Sequence, residues 1–409
     1  MVVAESLPSD RDVPMHDVPM HDAPTSGVTK GPHGDVWLPS HAQDTISSLS
    51  WSPRGNHLAT ASWDGCVRVY DVANNMAGSL LDTFPNTLPP KPPPCRCFLD
   101  CDWGPDGRFL IAGCIDGKVY STGLDSGEFR SIGHHGRAVS SVRVVDIPGY
   151  AASPVLASGS WNKTVRLWDV RQPESKCARM MSFRERVYSI DSNSRYNNSD
   201  SDKHKLLYVA LADESVHIVD LRYPRGDPIK RFDTERQATY NTRSTYKNSP
   251  EGAGKTKVVR VIPGGGYGVA CGQLTKTEGT LFKAHRTYSA CKEHTCKACR
   301  KDSTCENNRD IWPVSSMQFH PSDPNIMVTA DSNGRLHFQK TPTCSITPMC
   351  SITSYYKHSA GITATAFNHD GTILAYATGY DWHRGCNDIP TKETNLYLHK
   401  VTDKDMGKK

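Results

Sequence analysis

The segment ATASWDGCVRVYDV at residues 59–72 returns as ASGSWNKTVRLWDV at residues 157–170. Small residues, a Ser-Trp pair, a turn, an alternating strand and a closing Asp recur as one unit. Trp63 matches Trp161 and Asp71 matches Asp169. A unit of a few short strands cannot bury both faces alone, so copies of it must stack against one another. A long-period repeat with this ending is the signature of a WD-repeat β-propeller blade.

The rest of the chain divides into blades on the same pattern. Blade 1 runs from His41 to Val72, with turns at Pro53–Gly55 and Asp64–Gly65. A Pro-rich linker, PNTLPPKPPPC, follows it and reads as a stiff connection between blades. Blade 2 has turns at Asp106–Gly107 and Asp116–Gly117, blade 3 ends at Arg171, and blade 4 ends at Arg222. Blade 5 is irregular and lies between Thr239 and His285 around KVVRVIPGGGYGVACGQ. Blade 6 is PVSSMQFHPSDPNIMVTADSNGRLHFQK, and blade 7 runs from GITATAFNHDG to Val401. The predicted fold is all-β: a seven-bladed WD-repeat β-propeller over residues 36–403, with a disordered N-terminal tail over 1–35 and a short tail over 404–409. The phrase DVWLP at residues 35–39 is a candidate extra strand that locks the first and last blades together. His41, His134 and His358 stand where blades begin and read as hydrogen-bonding staples.

Bulk properties set bounds on function. Net charge is +5, from 48 basic and 43 acidic residues, too mild a bias to predict nucleic-acid binding by itself. No run of about 18 apolar residues is present, so no membrane span is expected. The opening MVVAESLPSDRDVP has early acids and no apolar core, unlike a secretory signal. Fourteen cysteines, most of them in strand-like phrases, then fit a reducing compartment, where a free Cys acts as a small buried hydrophobe.

Few motifs suggest chemistry. SPEGAGKT, Ser249–Thr256, nearly matches a phosphate-binding loop, but its first position is Ser and a strand-like run follows where a helix is needed. Cys291, Cys296, Cys299 and Cys305 form a C-x4-C-x2-C-x5-C cluster in a basic insertion, the candidate zinc ligands of this chain. Only Cys296 and Cys299 have the spacing of a zinc-binding turn, so a Cys-rich loop without metal is the competing reading. No nucleophile–base constellation stands out, so the chain reads as a non-enzyme without a cofactor. Basic residues concentrate between Arg222 and Lys301 with acids interleaved. They form either a solvated loop surface or a basic face over blades 4–6 suited to an acidic peptide or an RNA backbone.

Several phrases carry a more specific resemblance: SSLSWSP, SWDGCVRVYDV, GSWNKTVRLWDVR, YNTRS, FKAHR, PVSSMQFHP and FNHDGTILAYATGYDW, which together span roughly residues 36–403. In these the chain resembles the WD-repeat mRNA export factors of the nuclear pore and their paralogue, the WD-repeat protein of the spindle checkpoint. YDWHRG at 380–385 resembles the export branch. The resemblance implies an adaptor of the nucleus, nuclear envelope and pore, also found in the cytoplasm. Its top face would bind a nucleoporin segment of the acidic GLEBS type, with single-stranded RNA as a further ligand. The checkpoint branch would instead bind a checkpoint kinase at kinetochores. A generic scaffold of a ubiquitin-ligase or chromatin complex is the reading that the fold alone leaves open. By position, Trp63 and Arg243 match family residues at the peptide interface, and Lys283 and Arg286 of FKAHR extend the basic face. The chain departs from the family in blade 5, where a strand and its Arg are missing before FKAHR.

Overall fold

The computed structural model describes residues 30–85, 96–145, 155–169, 177–192, 206–212, 215–221, 240–241, 255–261, 267–272, 281–285, 294–297, 314–340, 351–380 and 394–408. Among the described residues, the strands form seven four-stranded antiparallel sheets, one per blade.

Blade 1 shows the plan. Ile46–Trp51 is the inner strand, followed outward by His57–Ser62, Val67–Val72 and Gly78–Phe84. The two middle strands are buried on nearly every residue because neighbouring blades cover both faces, whereas the outer strand exposes Leu81. The first three strands were legible as alternation. The outer strand was not, since a half-exposed strand at a ring's rim needs little apolar patterning. Blades 3 and 6 gain outer strands in the same way, Cys177–Ser182 and Ser351–Lys357. Tyr240–Asn241 pairs with Ser215 and Val216, so it closes blade 4 rather than opening blade 5. Blade 5 comprises Lys255–Val261, Tyr267–Gly272, Leu281–His285 and His294–Lys297. The sheet is therefore complete in strand number: FKAHR supplies its third strand, and the Cys-rich insertion supplies its fourth.

The core is divided between neighbouring blades. Leu49, Trp51, Leu58 and Tyr70 of blade 1 pack with Ala375, Leu396 and Leu398 of blade 7. Phe84 and Ala61 pack with Phe98 and Trp103 of blade 2. Each interface removes apolar area from water that a single blade would leave exposed, so the ring gains its stability collectively.

Every inner strand carries a β-bulge at the same place, which leaves Ser47, Leu99, Ser140, Tyr188, Lys257, Ser315 and Thr363 outside the ladder. Where this residue is Ser or Thr, its hydroxyl reaches the next blade. Ser47 donates to the Phe98 carbonyl at 2.6 Å, Ser140 to Val187 at 2.7 Å, Thr363 to Ile46 at 2.6 Å, and Ser315 to Ile362. A deeper bridge spans blades 2–4. Arg143 donates to Asp100 at 2.7 Å and to Asp191 at 3.1 Å, all three side chains being buried.

The ring closes through the segment before blade 1. Val36–Leu38 pairs with the last blade strand, Val36 opposite Leu398 and Leu38 opposite Leu396. This is the locking strand expected from DVWLP. The expected tail over 404–409 is instead partly packed: Asp405 is 0% exposed.

Candidate partner-binding face

The turns between the second and third strands of the blades project to one face, here called the top. They are positioned by one repeated backbone bond to the loop that enters the same blade. Trp63 N–H donates to Thr45 O at 2.9 Å, Ile115 to Cys97 at 2.9 Å, Trp161 to Ala138 at 3.0 Å, Ala212 to Arg186 at 2.9 Å and Gly379 to Gly361 at 2.8 Å. Trp63 and Trp161 thus occupy equivalent places in blades 1 and 3.

The turn carrying Trp63 is fixed from below. Asp64 accepts from the Gln43 N–H at 2.8 Å and the Cys66 N–H at 3.0 Å, and pairs with Arg68 at 2.8 Å. Gly65 has φ +85°, and a Cβ there would meet the Arg96 carbonyl at 2.7 Å. Only glycine lets the incoming loop approach so closely. In blade 3 Asn162 replaces Asp64: it accepts from the Thr164 N–H at 3.0 Å and donates to the His135 carbonyl. Both tryptophans are half-buried and held by their turns.

This separates Trp161 from Trp168, seven residues apart in the same repeat unit. Trp168 is 2% exposed and donates to Ser158 Oγ at 2.7 Å. Trp161 lines the mouth of the central channel, a cavity of about 410 Å³ whose wall also includes Leu99, Tyr188, Ser189 and Arg260. Among the described residues, the Trp161 indole nitrogen has no hydrogen-bond partner. Its place in a turn was the sequence signal: turn residues face outward, whereas Trp168 falls within an alternating strand.

The staples also differ from expectation. His41 and His134 are exposed, and the histidine that ties blade 3 together is His135. Its Nε2 lies 2.7 Å from Ser158 Oγ and its Nδ1 3.0 Å from Thr164 Oγ1. Burial pushes its pKa down to about 3, with Arg166 adding to the effect, so the ring is neutral. His358 is buried, but among the described residues its Nε2 finds no hydrogen-bond partner, unlike the staple expected; its pKa is pushed down to about 4 by burial first and then by His33.

Exposed cations gather on the top face around the entries to blades 3 and 4, while the blade 2 turn carries the carboxylate of Asp116. Arg137, Lys163, Arg184 and Arg186 are exposed in adjoining loops. The carboxylate among them, Glu185, lies 3.3 Å from Lys163. Sequence reasoning missed this sector because net charge over the chain is nearly balanced, and folding is what gathers these cations.

Of the other candidates, Lys283 lies in the third strand of blade 5, opposite Val269 and Thr295. Arg243 and Arg286 lie outside the described residues, as do Cys291, Cys299 and Cys305. Cys296 is in the fourth strand of blade 5, opposite Phe282. Lys255 and Thr256, the end of the phosphate-loop-like phrase, begin a strand, which agrees with the reading against nucleotide binding. Of YDWHRG, Tyr380 is described, and its carbonyl accepts from Thr45 Oγ1 at 2.7 Å.

Comparison with known proteins gives this architecture a family. The WD domain, G-beta repeat family matches residues 36–71, 95–120 and 127–169. The chain is 32% identical over 380 residues to the WD40 repeat protein poxJ of Penicillium oxalicum, covering 92% of this chain and 96% of that one. It is 28% identical to the poly(A)+ RNA export protein of Schizosaccharomyces pombe, covering 93% and 94%. It is 30% identical to the mitotic checkpoint protein BUB3.1 of Arabidopsis thaliana, covering 88% and 91%. With seven stacked sheets, a locking strand and these full-length similarities, the chain belongs to the WD-repeat family in which RNA export factors and mitotic checkpoint propellers are paralogous branches.

Proposed function

We propose that this chain is a non-enzymatic adaptor in nuclear mRNA export, whose top face clamps a GLEBS-type acidic segment of a nucleoporin. The observation that carries this reading is the placement of two half-buried tryptophans, Trp63 and Trp161, on the same face as the exposed cations at blades 3 and 4. Aromatic rings on fixed turns supply contact area at low entropic cost, and arginines fork onto carboxylates. Arg243, Lys283 and Arg286 extend this basic surface in the proposal, and single-stranded RNA is a second ligand for it. The export-factor relatives support a site of action at the nuclear rim, with a cytoplasmic pool.

The test is a tagged chain. Rim staining in interphase with co-purification of a GLEBS-bearing nucleoporin is the expected result. Recruitment to kinetochores with no rim signal would favour the checkpoint adaptor, the reading that the 30% identity to BUB3.1 supports. In binding assays with the captured segment, Arg243→Glu is expected to weaken affinity at least about tenfold while the fold survives, as for a reversed interface charge. Unchanged affinity would remove Arg243 from the interface.

A further inference from the structure

The segments that flank the ring in sequence meet inside blade 7. Asp35, just before the locking strand, is 3% exposed. Its Oδ1 lies 2.7 Å from His399 Nδ1, and its Oδ2 accepts from the Tyr376 hydroxyl at 2.5 Å. On the other side of the imidazole, His399 Nε2 lies 3.1 Å from Asp405 Oδ2. Asp405 belongs to the turn that follows the last strand. It also accepts from the Thr402 N–H at 2.8 Å and the Thr402 hydroxyl at 2.7 Å. Its second oxygen accepts from Tyr356 at 2.9 Å and from Ser354, both on the outer strand of blade 6.

An imidazole whose two nitrogens each face a carboxylate must donate from both, so His399 is an imidazolium. Burial opposes that charge. The hydrogen bonds to Asp35 and Asp405 outweigh it and hold the pKa up at about 9. Asp405 is held low: burial would raise it, but the bonds from His399, Ser354 and Thr402 prevail. One cation therefore neutralises a carboxylate from each flanking segment, in a site where either carboxylate left alone would be costly.

We propose that the locking strand and the turn at Thr402–Lys408 form a single two-sided clasp joined through His399, so that releasing the turn releases the strand and opens the ring at blade 7. If the turn leaves, His399 loses one of its two carboxylates and its charge is less supported, which weakens the bond to Asp35. If His399 loses a proton, one carboxylate faces a lone pair and is repelled. Other titratable groups packed around the cluster are His33 before the strand, Tyr356, Lys357 and His358 of blade 6 and its exit, and Tyr376 and Tyr397 of blade 7. Tyr356 is pushed up to about 12 and Tyr376 higher still, chiefly by burial, and His358 is neutral above its depressed value. Deprotonation of His399 is thus the change that a move from pH 7.5 to 9.5 makes at the clasp's centre.

Hydrogen–deuterium exchange on the full chain tests the clasp. Asp405→Asn, and separately a stop after Val401, are each expected to speed exchange at Val36–Leu38 at least about tenfold. Blades 2 and 3 should keep wild-type rates. In the wild type, protection at Val36–Leu38, corrected for the intrinsic pH dependence of exchange, should fall between pH 7.5 and 9.5. His399→Gln should abolish that dependence. Unchanged exchange at Val36–Leu38 in both variants, or equal acceleration in every blade, would overturn the proposal. So would wild-type protection that is flat across the pH range, a measurement that needs no variant to fold.

Discussion

Trp168 starts a chain of hydrogen bonds that crosses blade 3. Its indole N–H donates to Ser158, and the Ser158 hydroxyl donates to His135 Nε2. Thr164 donates its own proton to Asn162 at 2.6 Å, so it must accept from His135 Nδ1. The chain runs in one direction only if His135 is neutral, which its depressed pKa ensures. Gly133 makes room: a Cβ there would meet the Trp168 ring at 2.5 Å. We expect Trp168→Phe to lower unfolding stability by about 1–3 kcal/mol, since a buried acceptor loses its donor and a cavity opens. Trp161→Phe should change stability by less than about 0.5 kcal/mol, as at an outward-facing turn. Urea titrations of the two variants separate these roles, and on the proposed function only Trp161→Phe would act through affinity. The sequence showed two tryptophans of one repeat, and only their placement, Trp161 in a turn and Trp168 in a strand, signalled which faced in. GHHG offers two histidines, and only the fold shows that His134 ends an exposed strand while His135 turns into the blade.

At the level of the strand, the inner ring is stitched by side chains that periodicity does not reveal. Val142 N–H donates to Asp100 at 3.1 Å, Ile190 to Ser141 at 3.2 Å and Thr365 to Ser316 at 3.1 Å, each from one blade to the one before. Serines that look like solvent-facing positions of an alternating strand are therefore interblade connectors. The Asp100–Arg143–Asp191 bridge is the part of this ring most sensitive to change. Burial would raise the Asp100 pKa, but Arg143, Arg260 and two serine hydroxyls hold it below the usual carboxylate range. Arg143→Leu would leave two buried carboxylates without the cation that bridges them. We expect a loss of about 3–5 kcal/mol, read as a lowered urea midpoint, with Asp100→Asn partly restoring the double variant. A double variant no more stable than Arg143→Leu alone would show that the bridge contributes through packing and not charge. Inner and middle strands were legible because packing between blades demands apolar residues at alternate positions. Outer strands, the bulges and the fourth strand of blade 5 were not, because edge pairing is satisfied by backbone with little constraint on side chains.

For the whole molecule, the buried His135, His320, His358 and His399 make stability depend on pH, and they pull in opposite directions. His135, His358 and His320 are each pushed below their ordinary value, chiefly by burial, to about 3 for His135 and about 4 for His358. The unfolded chain protonates these residues as pH falls below about 6.5, while the native ring keeps them neutral. Their contribution is therefore whole above about pH 6.5 and is lost as pH falls toward the folded values. His399 behaves the other way. Its folded value is raised to about 9, so its contribution is whole below about pH 6.5 and disappears as pH rises through 9. Each titrating histidine changes stability by about 1.4 kcal/mol per pH unit within its window. With three groups on the acid side and one on the alkaline side, stability should peak near pH 6.5 and fall more steeply toward acid. Urea midpoints measured from pH 4.5 to 9.5 test this shape. His399→Gln should flatten the alkaline limb and leave the acid limb unchanged, because the acid limb belongs to rings in other blades and to His358, whose depression owes most to burial. A midpoint that stays constant between pH 6.5 and 5 would mean that these histidines take up protons inside the folded ring, and the neutral hydrogen-bond chain through His135 would then be wrong.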